Sequence, residues 1–304
     1  MPNNILQYSE KLSKKLDDRF IHDSVTGIFE GPSEDFEFLD DRTVRVAEVY
    51  MSGLADYDRD LGFVRGSVAS LSNIYQLSME RGRSFMNDRL TAQEAMVKNA
   101  LDMARFQKEY VAPEVDAYAL SKIGYFANNN GNVKSETLSN ENALTNIQLA
   151  MNDVQQVVGY TTPLIIFVSS STWGKVRTSK EYSKTIDISD FTKGDITTKV
   201  RSIDQVPIIP VQDKLMYSKY QFLNGVDSGQ EPGGFVVGTG AVKYNYIIVP
   251  RNAPKLITKT AKIRVFSPDQ NQRADAWQMD YRRTYDLLCT AEKQKGIVAS
   301  APSP

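Results

Sequence analysis

Apolar and polar positions along this chain predict a mixed α+β protein. The first segment, to about Phe20, is polar with Ile5, Leu12, Leu16 and Phe20 at helical spacing, so it predicts a short amphipathic helix. Lys11, Lys14 and Lys15 lie on it, balanced by Asp17 and Asp18. From His22 to Asp41 the pattern breaks up around Gly27, Gly31 and Pro32, which predicts an extended arm. Two strand-like runs follow. Thr43 to Met51 is β-branched and partly alternating, and Phe63 to Ser78 carries Val64, Val68, Leu71, Ile74 and Leu77. A glycine-bounded turn, Ser52 to Gly62, joins them. A two-stranded ribbon is marginal alone, so this excursion is expected to pair with another element or another chain.

Thr91-Ala92-Gln93-Glu94 fits a capping box and opens a helix to about Tyr110, with Met96, Ala100, Met103 and Gln107 along one face. Pro113 suits a first turn and predicts a second helix, to about Asn128. A third helix opens at Ser139 or Asn140, runs through Leu144, Ile147, Met151, Val154 and Val158, and stops at Gly159. Beyond it the pattern predicts a buried strand at Leu164 to Val168, a turn into a short helix at Ser170 to Trp173, and a strand at Val206 to Pro210. Asn224 to Gly234 reads as a glycine-rich loop. Gly234 to Val249 and Ile257 to Phe266 are strand-like. Ala276 to Thr290 alternates cleanly: Trp277, Met279, Tyr281, Tyr285, Leu287 and Cys289 share one face, with Arg283 the exception. Gln278, Asp280, Arg282, Thr284 and Asp286 form the other. The tail, Ala299 to Pro304, is small and polar and is expected to fray.

Composition narrows the function. The 304 residues are 41 % hydrophobic and 24 % charged, which suits a folded chain. A net charge of −1 argues against a protein that grips nucleic acid by counterion release. With one cysteine, Cys289, no internal disulfide forms. The N-terminus lacks a signal-peptide pattern, and the most apolar run is too short to span a bilayer. Synthesis as a soluble protein in the cytoplasm is the expectation, with no membrane partner.

Catalytic chemistry finds little material. The one histidine, His22, lies in the arm, and no Gly-x-Ser-x-Gly elbow exists. Zinc-type sites need Cys and His clusters that the inventory cannot supply. Asp56, Asp58 and Asp60 occupy the first, third and fifth positions of a calcium-loop pattern. Leu61 stands where glycine is needed, Ser67 where a glutamate is needed, and Arg59 puts positive charge inside the cluster. No phosphate loop occurs, and Gly238-Thr239-Gly240 reads as a turn between strands. Met96 and Met103 read as core. Lys255, Lys259, Lys262 and Arg264 read as a solvated strand edge. No catalytic residue, cofactor or metal is expected.

One polar pattern remains. No lysine occurs between Lys15 and Lys98. The excursion instead carries Arg42, Arg45, Arg59, Arg65, Arg81, Arg83 and Arg89, balanced by Asp41, Glu48, Asp56, Asp58, Asp60, Glu80 and Asp88. Arginine pairs with carboxylates bidentately and tolerates interfaces better than lysine does. The pattern points to an arm that docks on neighbouring subunits, through Asp56, Asp58, Arg59, Asp60, Arg65, Arg81 and Arg83.

Several runs resemble the major capsid proteins of tailed bacteriophages of Gram-positive bacteria. They are Gly53-Leu54-Ala55-Asp56-Tyr57-Asp58-Arg59 with Gly62-Phe63-Val64, then Glu80-Arg81-Gly82-Arg83-Ser84-Phe85, then Val111-Ala112-Pro113-Glu114-Val115-Asp116-Ala117-Tyr118. Arg264-Val265-Phe266-Ser267-Pro268-Asp269, Ala274-Asp275-Ala276-Trp277 and Tyr281-Arg282 continue the resemblance near the C-terminus. It implies the Hong Kong phage-type capsid fold: an N-terminal arm (1–41), an extended loop (42–90), a peripheral domain with a long spine helix (91–133), an axial domain (134–250) and return strands with the tail (251–304). The spine helix itself is implied at about Thr91 to Ala112. The resemblance also implies self-assembly into hexamers and pentamers of an icosahedral shell, with a portal and non-specifically held double-stranded DNA as partners, in the virion. The extended loop lacks the lysine through which the best-known member cross-links its shell, so a non-covalent shell is expected. The chain opens directly with the arm, so a separate scaffolding protein is expected as well. An encapsulin-like compartment is the alternative with the same fold. A soluble enzyme is the alternative from another class.

Overall fold

A computed structural model describes residues 24–31, 36–40, 42–60, 62–87, 99, 101–182, 186–193 and 196–303. The expected helix before Phe20, His22, Arg89 and the capping box at Thr91 lie outside them.

The excursion forms where alternation predicts it. Strand β1 (Phe36–Phe38) pairs with β2 (Thr43–Met51), which pairs antiparallel with β3 (Val68–Gln76). Val44, Val46 and Leu77 are buried with Ile257 and Leu288, so apolar packing anchors the base of the hairpin. Farther out Met51 and Val68 are exposed, as is Ile74 on the opposite face of the base. The second expected run starts late, because 63–67 are irregular. Residues expected to belong to the loop also form a further strand, β4 (Met79–Asn87), which joins another sheet. Arg81 and Arg83 at alternate positions hid its strand period from an apolar pattern.

The expected pair of helices is one. Residues 101–106 are helical, Gln107–Val111 form a π turn, and helix α1 (Ala112–Asn129) continues directly. Pro113 has no N–H to give, and in a regular helix its ring meets the carbonyl four residues back. The widened π turn just before it gives that ring room, so the proline sits inside a helix instead of starting one. The spine therefore runs on past Ala112 to Asn129.

The next part of the chain builds most of the largest sheet and a separate two-stranded one, in which Tyr220–Phe222 pairs with Phe235–Val237. In order come β5 (Val133–Ser135), α2 (Ala143–Val158), β6 (Leu164–Ser169), α3 (Ser170–Arg177), β7 (Ile186–Lys193), β8 (Ile196–Ile203), β9 (Val206–Val211), β10 (Tyr220–Phe222), β11 (Phe235–Val237) and β12 (Tyr246–Pro250). Gly159 ends α2 at φ +87°, where a side chain would be strained. Ser169 caps α3 by accepting from the Thr172 N–H. The β7–β8 hairpin was not among the expected elements, and the expected strand from Gly234 to Val249 is broken by a turn at 238–245.

Strand β13 (Lys255–Phe266) and β14 (Trp277–Leu288) pair antiparallel, and β4 completes their sheet on the far side of β14. Strand β15 (Val298–Ala301) then enters the large sheet, whose order is β5-β15-β12-β6-β9-β8-β7. This corrects the expectation of a frayed tail: Ala299, Ser300 and Ala301 are buried. They are small because β15 is flanked on both sides and covered above and below. The central strands β6 and β12 of the large sheet bury both faces. Ile165, Phe167, Ile247 and Val249 face the core of α1, whereas Leu164, Ile166, Val168 and Ile248 face that of α2. Burial on both faces explains the unbroken apolar run at β6.

The alternation of β14 holds only in part. Trp277, Met279, Tyr281, Arg283, Tyr285 and Leu287 are buried as one face, but Thr284 and Asp286 on the expected polar face are buried too. Layers cover both faces of that half of the strand.

Candidate interaction surfaces

Five of the seven residues expected at interfaces lie at the tip of the excursion. Asp56, Asp58, Arg59, Asp60 and Arg65 are all exposed there. Asp58 Oδ1 accepts from the Asp60 amide at 2.7 Å, and the Gly62 N–H donates to the Asp58 carbonyl at 2.8 Å. One carboxylate oxygen thus shapes the turn itself. Tyr57 and Phe63 pack ring to ring at 4.8 Å. The tip nonetheless offers apolar surface to solvent: Leu54 is fully exposed, and Phe63 keeps 87 % of its surface. Large apolar groups held out on a hairpin with no core behind them make the tip a candidate contact surface.

Arg81 and Arg83 lie elsewhere, on β4 at the base. Arg81 is engaged inside its own chain. Its Nε donates to Glu114 Oε1 at 2.6 Å, its Nη1 to the Leu223 carbonyl at 2.8 Å and its Nη2 to the Gly234 carbonyl at 3.1 Å. One guanidinium therefore ties α1 to both ends of the 223–234 loop. Arg83 is exposed, and its Nη2 reaches the Glu231 carbonyl at 3.4 Å. Glu80, next in line, bridges Arg42 and Arg282. The arginine choice read from the sequence serves multi-toothed contacts at this end of the excursion.

Residues 24–30 are fastened to the body by two polar clasps not among the expected site residues. Asp116 is buried on α1. Its Oδ1 accepts from Ser24 Oγ (2.6 Å), the Thr26 amide (2.8 Å) and Thr26 Oγ1 (2.7 Å), and its Oδ2 accepts from the Val25 amide (2.9 Å). Burial pushes this carboxyl above the usual carboxylate range, with the four donated hydrogen bonds pulling the other way. In the second clasp, buried Arg283 donates from Nη2 to Glu30 Oε1 at 2.6 Å, and Thr258 Oγ1 donates to the same oxygen at 2.6 Å. The sequence carried a signal for each: Arg283 broke an apolar face, and Asp116 stands between Val115 and Ala117 in an apolar stretch.

A third network joins the excursion to the body. Asp286 accepts from Ser78 Oγ at 3.0 Å, from the Ser78 amide at 3.1 Å and from Tyr118 Oη at 2.6 Å, and it pairs with Lys122. Ser78 is the hinge between β3 and β4, so this carboxylate fixes where the excursion leaves the body. Burial, then the neighbouring Asp286 charge, raises the Tyr118 hydroxyl well above its ordinary value. Among the described residues no group of three His, Cys, Asp or Glu side chains is placed to hold a metal ion, and no helix is long and apolar enough to cross a membrane.

No family model matches the chain, and no curated protein matches it either. Solved structures do. The head structure of Helicobacter pylori bacteriophage KHP40 aligns at TM-score 0.56 and 13 % identity, over 92 % of this chain and 90 % of that one. The capsid structure of Staphylococcus phage Andhra aligns at 0.51 and 12 % identity, over 86 % and 81 %. The virus-like particle from Pyrococcus furiosus aligns at 0.50 and 11 % identity, over 96 % and 99 %. The fold is thus one used by proteins of closed particles. More particularly, it is the Hong Kong phage-type capsid fold, carried by nearly the whole chain.

Proposed function

We propose that this chain is the major capsid subunit of a tailed bacteriophage. Copies gather into hexamers and pentamers of an icosahedral shell around double-stranded DNA. The observation that carries the reading is the whole-chain capsid fold, joined to a hairpin whose far end is apolar, charged and without a core of its own. Such a hairpin gains stability by lying on another copy. Each contact is modest, and closure of a symmetric shell multiplies it. The role is structural, not catalytic. Asp56, Asp58, Arg59, Asp60, Arg65 and Arg83 take part in contacts between subunits, and Arg81 shapes the surface beside them. A scaffolding protein and a portal are the further partners, and the virion is the location. The shell holds without covalent links from the excursion, which has no lysine amine to give.

Likeness to the archaeal virus-like particle over almost all of both chains favours a second reading, an encapsulin-like compartment. Sedimentation of the chain expressed with its scaffold separates shells from free subunits: fast-sedimenting particles are expected, and persistent monomers contradict both readings. The particle contents then decide, DNA for a phage and an enzyme for a compartment.

A further inference from the structure

A cleft of about 310 Å³ opens between the π turn, the 223–234 loop and the face of the small sheet that carries Tyr281 and Tyr285. Phe106 packs edge-on against Phe85 at 4.9 Å and stacks on Tyr110 at 5.8 Å, so these rings fill one another and close one wall. The opposite wall is the loop, which Arg81 holds at both ends. The open space lies between the two walls.

Two groups in the cleft have unmet demands. Tyr285 is buried at 1 % exposure, and among the described residues its hydroxyl has no hydrogen-bond partner. Leaving a buried hydroxyl unpaired is costly. Glu114 does not answer it, because both its oxygens accept from Arg81. Burial, and after it the Glu114 charge, raises this hydroxyl well above its ordinary value, so it keeps its proton and serves as a donor.

The second group is Arg83, on the same face of the small sheet. It pairs with Tyr281, four strand positions from Tyr285, or about 13 Å at about 3.3 Å per residue. Its guanidinium sits against two glycines of the loop. A Cβ on Gly225 would lie 2.7 Å from Nη1, and one on Gly233 would lie 3.3 Å from it. The Glu231 carbonyl accepts from Nη2 at 3.4 Å, and among the described residues no carboxylate pairs with Arg83. The other cations of the cleft are matched, Arg81 by Glu114 and Arg283 by Glu30. Arg83 therefore leaves the cleft with an uncompensated positive charge.

We infer that the cleft binds a small aromatic carboxylate with a hydrogen-bond acceptor at its other end, the carboxylate on the Arg83 guanidinium and the acceptor on the Tyr285 hydroxyl. A para-substituted ring with a hydrogen bond at each end spans the distance between them. The flat body lies between the ring wall and the loop, against Val111, Leu223 and Pro232. A neutral ligand would leave Arg83 unmatched, and a cationic one would be repelled by it. A single chain builds the whole cleft, so binding needs no shell.

Three probes test the assignment by ligand-observed NMR titration of the full-length chain. They are 4-acetylbenzoate, 4-ethylbenzoate, which lacks the acceptor, and 4-acetylbenzyl alcohol, which lacks the charge. The first is expected to bind at least about fivefold tighter than either analogue. Tyr285→Phe is expected to remove its advantage over 4-ethylbenzoate, and Arg83→Gln its advantage over the alcohol. The unliganded Tyr285→Phe chain should melt within about 4 °C of wild type or above it, since the hydroxyl it loses has no partner. Equal affinity for the three probes, no binding up to about 5 mM, or affinities that neither substitution changes overturn the assignment. A Tyr285→Phe chain that melts more than about 4 °C lower also overturns it, because the hydroxyl then holds a structural water.

Discussion

Asp116 shows how one buried side chain can commit a distant segment. Its four hydrogen bonds hold Ser24, Val25 and Thr26 on α1. Removing the carboxylate leaves buried donors unsatisfied, so Asp116→Ala is expected to cost about 3 kcal/mol in denaturant unfolding of the subunit. A loss under about 1 kcal/mol would show that water replaces the clasp. Burial raises this carboxyl above its unfolded value of 3.8. Folding therefore takes up a proton there, and the stability it adds is fully present below the unfolded value and declines as pH rises through the folded one. Exchange of the Val25 and Thr26 amides, corrected for intrinsic rate, should be no faster at pH 5 than at pH 7; faster exchange in mild acid contradicts this. Cys289 gives a simpler readout. Burial pushes its thiol up to about 12, so a thiol reagent at pH 8 should leave it unlabelled in the native subunit and label it on unfolding.

At the scale of elements, what the sequence revealed followed from how local each signal was. Strand β2 and the end of α2 were legible because alternation and a glycine stop act within a few residues. Strand β4 was not, because arginines fill its alternate positions for the sake of partners on α1 and in the 223–234 loop. Pro113 was misread as a start because a π turn leaves no mark in apolar spacing. The tail was misread because small residues suit both fraying and tight burial, and only the flanking strands decide between them. Its role can be tested by truncation. Ending the chain after Gly296 removes β15, strands β5 and opens a long edge on β12, so an insoluble or unfolded product is expected. Ending it after Ala301 should leave thermal unfolding within a few degrees of wild type. A stable subunit lacking β15 would contradict its place in the core. Of the candidate surface, the charged tip was legible from its arginine and aspartate pattern. The clasps at Asp116 and Arg283 were not, since each joins groups far apart along the chain.

At the scale of the molecule, a near-neutral chain with a charged, arginine-only excursion fits a container better than a gripping protein. A strongly basic wall would hold DNA and oppose its movement. Screening contacts at the tip should loosen such a shell: raising salt from 0.1 to 1 M shortens the Debye length from about 10 to about 3 Å. Particles should then shed subunits more readily under light scattering, and a denaturing gel of mature particles should show a single band and no ladder of covalent oligomers. On the proposed function, the chain closes into a shell with each excursion lying on another copy. Electron cryomicroscopy of the assembled protein tests it most directly. Closed icosahedral particles are expected, with density for the 52–64 tip of one subunit resting against a neighbour. Soluble monomers, or closed particles whose excursions touch only their own chain, would contradict it.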